Sequence, residues 1–324
     1  MKNLTITRTG FSRFVDAICR DNNVIGPVGR KFEEVSCFKD VDLKVVNTKY
    51  SAKDIILPQK EDMYTFSGNK MKEVIGKDKK IIFGMRACDI NAIARLDALF
   101  LEKPADMHYK VRRENTMIIG VECDRAGDNC FCESLGTNEV DSGFDLLFRT
   151  IGRAYLCKVG SKNGERLLRK YKQLFKETRI VFEHTMPGCK KRLTKKSIDK
   201  LAVNFDNKKV WDDVAERCLS CSACTITCPS CGCFEVHDEV EFDISKGVRY
   251  RNWSSCQQKD FTRVAGGFVF RDERGSRLKH RIYHKLKFYK ERFGSEHMCI
   301  GCGRCITNCV SGIDMVDIIN NKLK

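Results

Sequence analysis

Two cysteine quartets constrain this chain more than any other feature. Cys218, Cys221, Cys224 and Cys228 read C-x2-C-x2-C-x3-C, and Cys299, Cys302, Cys305 and Cys309 repeat the run. This spacing lets three close cysteines hold one four-iron cube while the fourth reaches the neighbouring cube. On that rule cluster A takes Cys218, Cys221, Cys224 and Cys309, and cluster B takes Cys299, Cys302, Cys305 and Cys228. The crossing ties two distant segments into one unit and sets two redox centres side by side. A structural zinc site also uses paired cysteines, but as C-x2-C pairs divided by a spacer. Tandem quartets are hard to obtain that way. One detail departs from the usual run: Pro229 follows Cys228 but Val310 follows Cys309. The second quartet is therefore expected to leave its cube by another path.

The 324 residues are enough for two domains, and 42% hydrophobic content can build a core. No stretch approaches the roughly eighteen apolar residues of a membrane span. The opening MKNLTITRTGFSRF lacks the apolar run of an export signal. Nineteen cysteines, an odd number with metal-like spacing, then read as reduced thiolates in a cytoplasmic protein. The formal charge of +16 overstates the basicity, because an oxidised cube with four thiolates contributes about −2. The remainder favours acidic partners.

The first two hundred or so residues alternate strand and helix. Phe11, Phe14, Val15 and Ile18 share a helix face entered near Thr9. Asp54–Leu57, Lys80–Gly84 and Met117–Val121 have the length of buried strands. Ile90, Ile93, Ala94, Asp97 and Phe100 have helical spacing, as do Leu167, Leu168, Tyr171, Leu174 and Phe175 after the Gly160–Gly164 turn. A short helix through Ile198, Leu201, Ala202 and Phe205 ends this part. The expectation is an α/β N-terminal domain over residues 1–208 and, over 209–324, a mainly helical, expanded version of a two-[4Fe-4S] ferredoxin. In the second domain Trp211, Val214, Ala215 and Cys218 place the first ligand at a helix end, and Ile313, Val316 and Ile319 form a last helix.

Four further cysteines have a pattern. Cys88 in MRACD and Cys123 in GVECD each follow a predicted strand, and Cys130 and Cys132 lie on the loop beyond. If the two strands are parallel neighbours, both thiols project from the carboxyl edge, where open α/β sheets bind ligands. Asp89 is placed to cap the following helix, whose dipole would favour a thiolate at Cys88. Cys88, Cys123, Cys130 and Cys132 are thus candidate ligands of a third [4Fe-4S] cluster. C-x-C alone is weak evidence, and buried small hydrophobes are the competing reading.

The segments FGMRACDINAIARLD, CDRAGDNCFCESLGTNEVDSGFDL, RCLSCSACTITCPSCGCF, RNWSSCQQKDFTRVAGGFVFR and HKLKFYKERFGSEHMCIGCGRC resemble the iron–sulfur electron-transfer subunit of anaerobic sulfite reductase. The wider group includes beta subunits of cytosolic hydrogenases and sulfhydrogenases. The resemblance runs from about Lys80 to the C-terminus and is thin between residues 180 and 210. It implies a multi-subunit cytoplasmic oxidoreductase. In it a flavin subunit oxidises NADH, this chain relays electrons through three clusters, and a sirohaem subunit reduces sulfite to sulfide. The alternative is the beta subunit of a hydrogenase or sulfhydrogenase, connecting flavin to a nickel–iron partner. No catalytic residue is expected in this chain, since no dinucleotide fingerprint follows a strand and no Cys–His pair stands out.

Cys231, Cys233 and Cys256 read as packing around the cubes, with metal or redox chemistry as the sharper alternative. Cys19, Cys37, Cys157 and Cys189 read as structural, and His237, His280, His284 and His297 as surface or structural. Arg271–Arg292 holds nine Lys or Arg against three acids. It is either a solvated helix face or a positive shell close to the clusters. Nucleic acid is not expected as a partner, because aromatic interleaving is thin and no binding motif is present.

Overall fold

The computed structural model describes residues 3–242, 244–294 and 296–323. The first half runs β1 (Asn3–Thr7), α1 (Arg8–Asp21), β2 (Val24–Val28), β3 (Lys31–Glu34), α2 (Lys53–Ile56), β4 (Lys60–Ser67), β5 (Lys70–Glu73) and β6 (Lys80–Met85). It continues with α3 (Ala87–Phe100), α4 (Met107–Glu114), β7 (Thr116–Val121), β8 (Leu146–Ile151), β9 (Ala154–Val159), α5 (Lys162–Lys170) and β10 (Lys176–Thr178). Eight of these strands form one sheet in the order β10-β1-β9-β8-β7-β6-β2-β3. Its centre, β2, β6, β7 and β8, is parallel. Central parallel strands are covered on both faces, and the side chains sort accordingly. Ile81, Phe83, Ile119, Leu146 and Phe148 pack under α1 and α5. Ile82, Ile118 and Leu147 face α3 and α4.

The second half contains α6 (Lys195–Asp199), α7 (Lys208–Ala215), α8 (Ala223–Ile226), β11 (Phe234–Val240), β12 (Lys246–Trp253), α9 (Arg274–Tyr283), α10 (Tyr289–Phe293), α11 (Arg304–Thr307) and α12 (Met315–Asp317). A helical core of Trp211, Leu278, Ile282, Tyr283, Leu286 and Ile319 underlies it. A mainly helical domain does not describe this half, because β11 and β12 form a hairpin of seven register pairs. That hairpin joins β4 and β5 in a second sheet, β11-β12-β4-β5, so the two halves share backbone hydrogen bonds. At this seam the buried Arg251 pairs with Glu61 and Asp106, and Arg112 pairs with Glu61.

Two local expectations are corrected. Residues 54–57 do not form a strand: Lys53–Ile56 is a single helical turn that buries Ile56 and Leu57. A short apolar run without alternation fits either element. The helix after Ser161 ends at Lys170, and Lys172–Leu174 continues as a 3-10 turn. Among the described residues no helix is long and apolar enough to cross a membrane.

Candidate functional site

The two quartets fold into the same loop twice. In the first, Ser220 and Ser222 have φ of 51° and 66°; in the second, Gly301 and Gly303 at the matching positions have 61° and 72°. Left-handed residues on either side of the second cysteine curl the backbone so that its N–H groups point inward. The Ser220 N–H donates to Cys218 Sγ at 3.4 Å, and the Gly301 N–H donates to Cys299 Sγ at 3.5 Å. A short helix, α8 or α11, then carries the third cysteine, and the fourth follows it. The Ile313 N–H donates to Cys309 Sγ at 3.2 Å. N–H donation to sulfur is how a protein stabilises cluster thiolates.

The thiols gather across the two loops. Cys218, Cys221, Cys224 and Cys309 line one pocket, with Cys305 at its wall. Burial pushes the pKa of the Cys299 thiol up to about 12, with Cys305 and Cys228 adding to the rise. Cys302 is raised by burial and also faces Cys228. Cys309 thus shares a pocket with the first quartet, and Cys228 is close enough to Cys299 and Cys302 to raise both thiols. Among the described residues no three His, Cys, Asp or Glu side chains close on a point as a single ion requires. The donor set is sulfur within an apolar wall of Leu278, Ile313, Met315 and Ile318, which suits iron–sulfur cubes.

Buried cations complete the environment. The basic segment is not simply a solvated face: Arg277, Arg281 and Lys285 repeat every fourth residue and are each 5% exposed. Arg274 donates to the Cys218 carbonyl, Arg277 to Ser220 Oγ, Arg281 to the Cys224 carbonyl and Lys285 to Ser230 Oγ. Arg281 Nε is buried without a hydrogen-bond partner. Burial disfavours its charge, yet Cys224, Cys305, Cys228 and Cys256 hold its pKa well above the ordinary value. Positive charge buried this way calls for a negative group, which thiolate-bound cubes supply.

The N-terminal thiols also converge. β6 and β7 are parallel neighbours, so Cys88 in the first turn of α3 and Cys123 just beyond β7 lie at one carboxyl edge. Cys130 and Cys132 fold back to them, and Cys88, Cys130 and Cys132 share a buried group with Cys302 and Cys189. Cys189 was not expected there. Its Sγ lies 3.6 Å from that of Cys132, because Glu133 holds the Gly188 and Cys189 N–H groups. A lone cysteine after Pro-Gly carries no spacing signal; only the fold reveals it. The role expected for Asp89 needs correction. Asp89 caps nothing: its carboxylate accepts from Arg304 at 2.5 and 2.8 Å. The Cys88 thiol is raised well above its ordinary value by burial and then by Asp89.

This third thiol group adjoins the second quartet. The Phe131 N–H donates to the Gly301 carbonyl at 2.7 Å, Thr137 Oγ1 to that of Ile300 at 2.7 Å, and Asn47 Nδ2 to that of Cys302 at 2.7 Å. A Cβ at Gly301 would lie 2.6 Å from Cys132 Cα, and one at Gly303 would lie 2.2 Å from the Asn129 carbonyl. Cys157 is fully buried in the first core, with Cys19 packed against that core. His237 sits on the exposed face of β11, and His297 Nδ1 is 2.7 Å from the Leu286 carbonyl. His280 and His284 are buried enough that their pKa values fall to about 4 and about 3.

A twice-curled pair of thiol loops among buried cations defines the class: an iron–sulfur electron-transfer protein. The family model of a 4Fe-4S dicluster domain matches residues 217–313. The chain is 32% identical over 322 residues to sulfhydrogenase 2 subunit beta of Pyrococcus furiosus, covering 96% of this chain and 95% of that one. No solved structure matches it. The chain belongs to the sulfhydrogenase beta-subunit family and is the electron-transfer iron–sulfur subunit of an oxidoreductase. Of the families the sequence resembles, this supports the wider hydrogenase group and not sulfite reductase.

Proposed function

We propose that this chain is the beta subunit of a cytoplasmic hydrogenase or sulfhydrogenase complex, relaying electrons between a flavin subunit that exchanges them with nicotinamide and a nickel–iron subunit. The similarity along almost the whole chain to a sulfhydrogenase beta subunit carries this reading. In it Cys218, Cys221, Cys224 and Cys309 hold cluster A, and Cys299, Cys302, Cys305 and Cys228 hold cluster B. Cys88, Cys123, Cys130 and Cys132 hold a third, with Cys189 a neighbouring thiol. Each cube, when bound, supplies a one-electron couple. The chain's own groups set the terms of transfer. Backbone N–H groups of Ser220, Gly301 and Ile313 and the buried Arg281 and Lys285 stabilise added negative charge. The apolar wall keeps water away, so these fixed dipoles act in a low dielectric. The direct contact between the Cys130–Cys132 loop and the second quartet supports a continuous path from the sheet edge to the helical end.

The test is anaerobic purification of the assembled complex. Hydrogen-dependent reduction of nicotinamide and no sirohaem absorption are expected. The isolated chain should accept electrons from a strong artificial reductant and turn over neither hydrogen nor sulfite. A sirohaem band together with NADH-linked sulfite reduction would replace this reading with the sulfite reductase one.

A further inference from the structure

A second group of side chains lies beside cluster B. Cys231, Cys233 and Cys256 line a cavity of about 410 Å³ together with His280, His284 and Phe261. Three elements build it. Cys231 and Cys233 leave the first quartet just before β11, Cys256 follows β12, and the two histidines stand one turn apart at the end of α9. Cys231 and Cys256 are 6% and 5% exposed. The Cys233 thiol is a neighbour of both Cys231 and Cys256. The imidazole rings of His280 and His284 are 5.6 Å apart.

Packing alone does not account for the charges here. Lys53, Arg281 and Lys285 surround the group and are 3%, 5% and 5% exposed. Among the described residues none of the three forms an ion pair with a carboxylate. Lys53 Nζ donates to the Cys231 carbonyl at 3.2 Å and lies 3.6 Å above the Trp253 ring. Burial pushes the Lys53 pKa down, and the nearby Cys231, Cys228 and Cys233 only oppose that fall. The charge of Lys285 is held against burial by Cys228, Cys231 and Cys299. Isolated buried cations are costly unless an anion accompanies them. Cluster B would answer part of this demand, and Lys53 is tied to the cavity group through the Cys231 carbonyl.

We propose that Cys231, Cys233 and Cys256 hold a further iron–sulfur cluster in this cavity, with one imidazole of His280 or His284 as the fourth donor. Three thiolates leave one position for a neutral nitrogen, and histidine ligation of iron–sulfur centres is established chemistry. A zinc ion fits less well. It draws four donors to about 2.3 Å around one point, whereas these thiols border open space and, among the described residues, no three donors close on a single ion. Contact with Cys228 places the site next to cluster B, as a branch or terminus of the relay. The inference extends the proposed function but does not depend on which partners the chain has.

The experiment uses the anaerobic complex. Cys256→Ser and Cys233→Ala are compared with wild type for iron, acid-labile sulfide and zinc, and by low-temperature magnetic resonance. Each variant is expected to lose about four irons and four sulfides per chain while the spin-coupled signal of clusters A and B persists. Unchanged iron overturns the proposal, and so does loss of one stoichiometric zinc. If the variants do not accumulate, pulsed magnetic resonance of the reduced wild type decides. A strongly coupled imidazole nitrogen is expected, and its absence overturns the assignment.

Discussion

Removing the guanidinium of Arg304 should loosen the join between the two halves of the molecule. Arg304 and Asp89 are each 2% exposed, and their side chains meet at 2.5 and 2.8 Å. Arg304 Nε also donates to the Thr48 carbonyl at 2.7 Å. The pair spans 215 residues of sequence, from α3 beside Cys88 to α11 beside Cys302. Breaking a buried pair leaves the partner's charge uncompensated and costs about 3–5 kcal/mol. At about 1.4 kcal/mol per factor of ten, that is two to three and a half decades in the folding equilibrium. Arg304→Met and Asp89→Leu should each show this cost in anaerobic denaturant unfolding, followed by tryptophan fluorescence and cluster absorbance. The double variant should recover most of it, because apolar replacement of a whole buried pair is close to neutral. The cycle should therefore give a coupling of at least about 2 kcal/mol. Singles that cost under about 1 kcal/mol, or a double that is merely additive, would refute the reasoning.

Further outcomes follow from the geometry. Gly303→Ala should be severely destabilising, since its Cβ would meet the Asn129 carbonyl at 2.2 Å; by contrast Ser222→Gly relieves a left-handed serine with φ 66° and should raise stability by about 1 kcal/mol in the same assay. Lys285→Gln removes a buried positive charge beside Cys228 and Cys299, so a redox titration monitored by magnetic resonance should show a dicluster potential shifted to more negative values, whereas an unchanged or more positive value would count against the charge argument. Cys88→Ser should remove about four irons and interrupt nicotinamide-linked turnover, while Cys189→Ser should leave the iron count unchanged; the reverse result would exchange their roles.

The sequence displays the dicluster more clearly than the fold around it. Ligand spacing is local and obeys a rule, so the quartets can be paired from their spacing alone. The helix through Phe11, Phe14 and Ile18 and the strand at Lys80–Met85 are legible because periodicity shows in the residues themselves. What stays hidden depends on contacts between distant segments. The hairpin β11–β12 carries exposed charged residues that disguise its alternation, and its value lies in pairing with β4. The place of Cys189 is set by Glu133, far earlier in the chain. The burial of Arg277, Arg281 and Lys285 is likewise tertiary: a basic run at helical spacing looks the same whether it faces water or a cluster.

Cys228→Ser is the decisive variant for two crossed quartets that carry electrons through this chain. The variant complex, purified anaerobically and reduced, is studied by low-temperature magnetic resonance with iron counted in parallel. The expected result is loss or conversion of the cube bound by Cys299, Cys302 and Cys305, survival of the one bound by Cys218, Cys221 and Cys224, and disappearance of their mutual coupling. Loss of the cube nearest in sequence, with the other intact, would contradict the crossing.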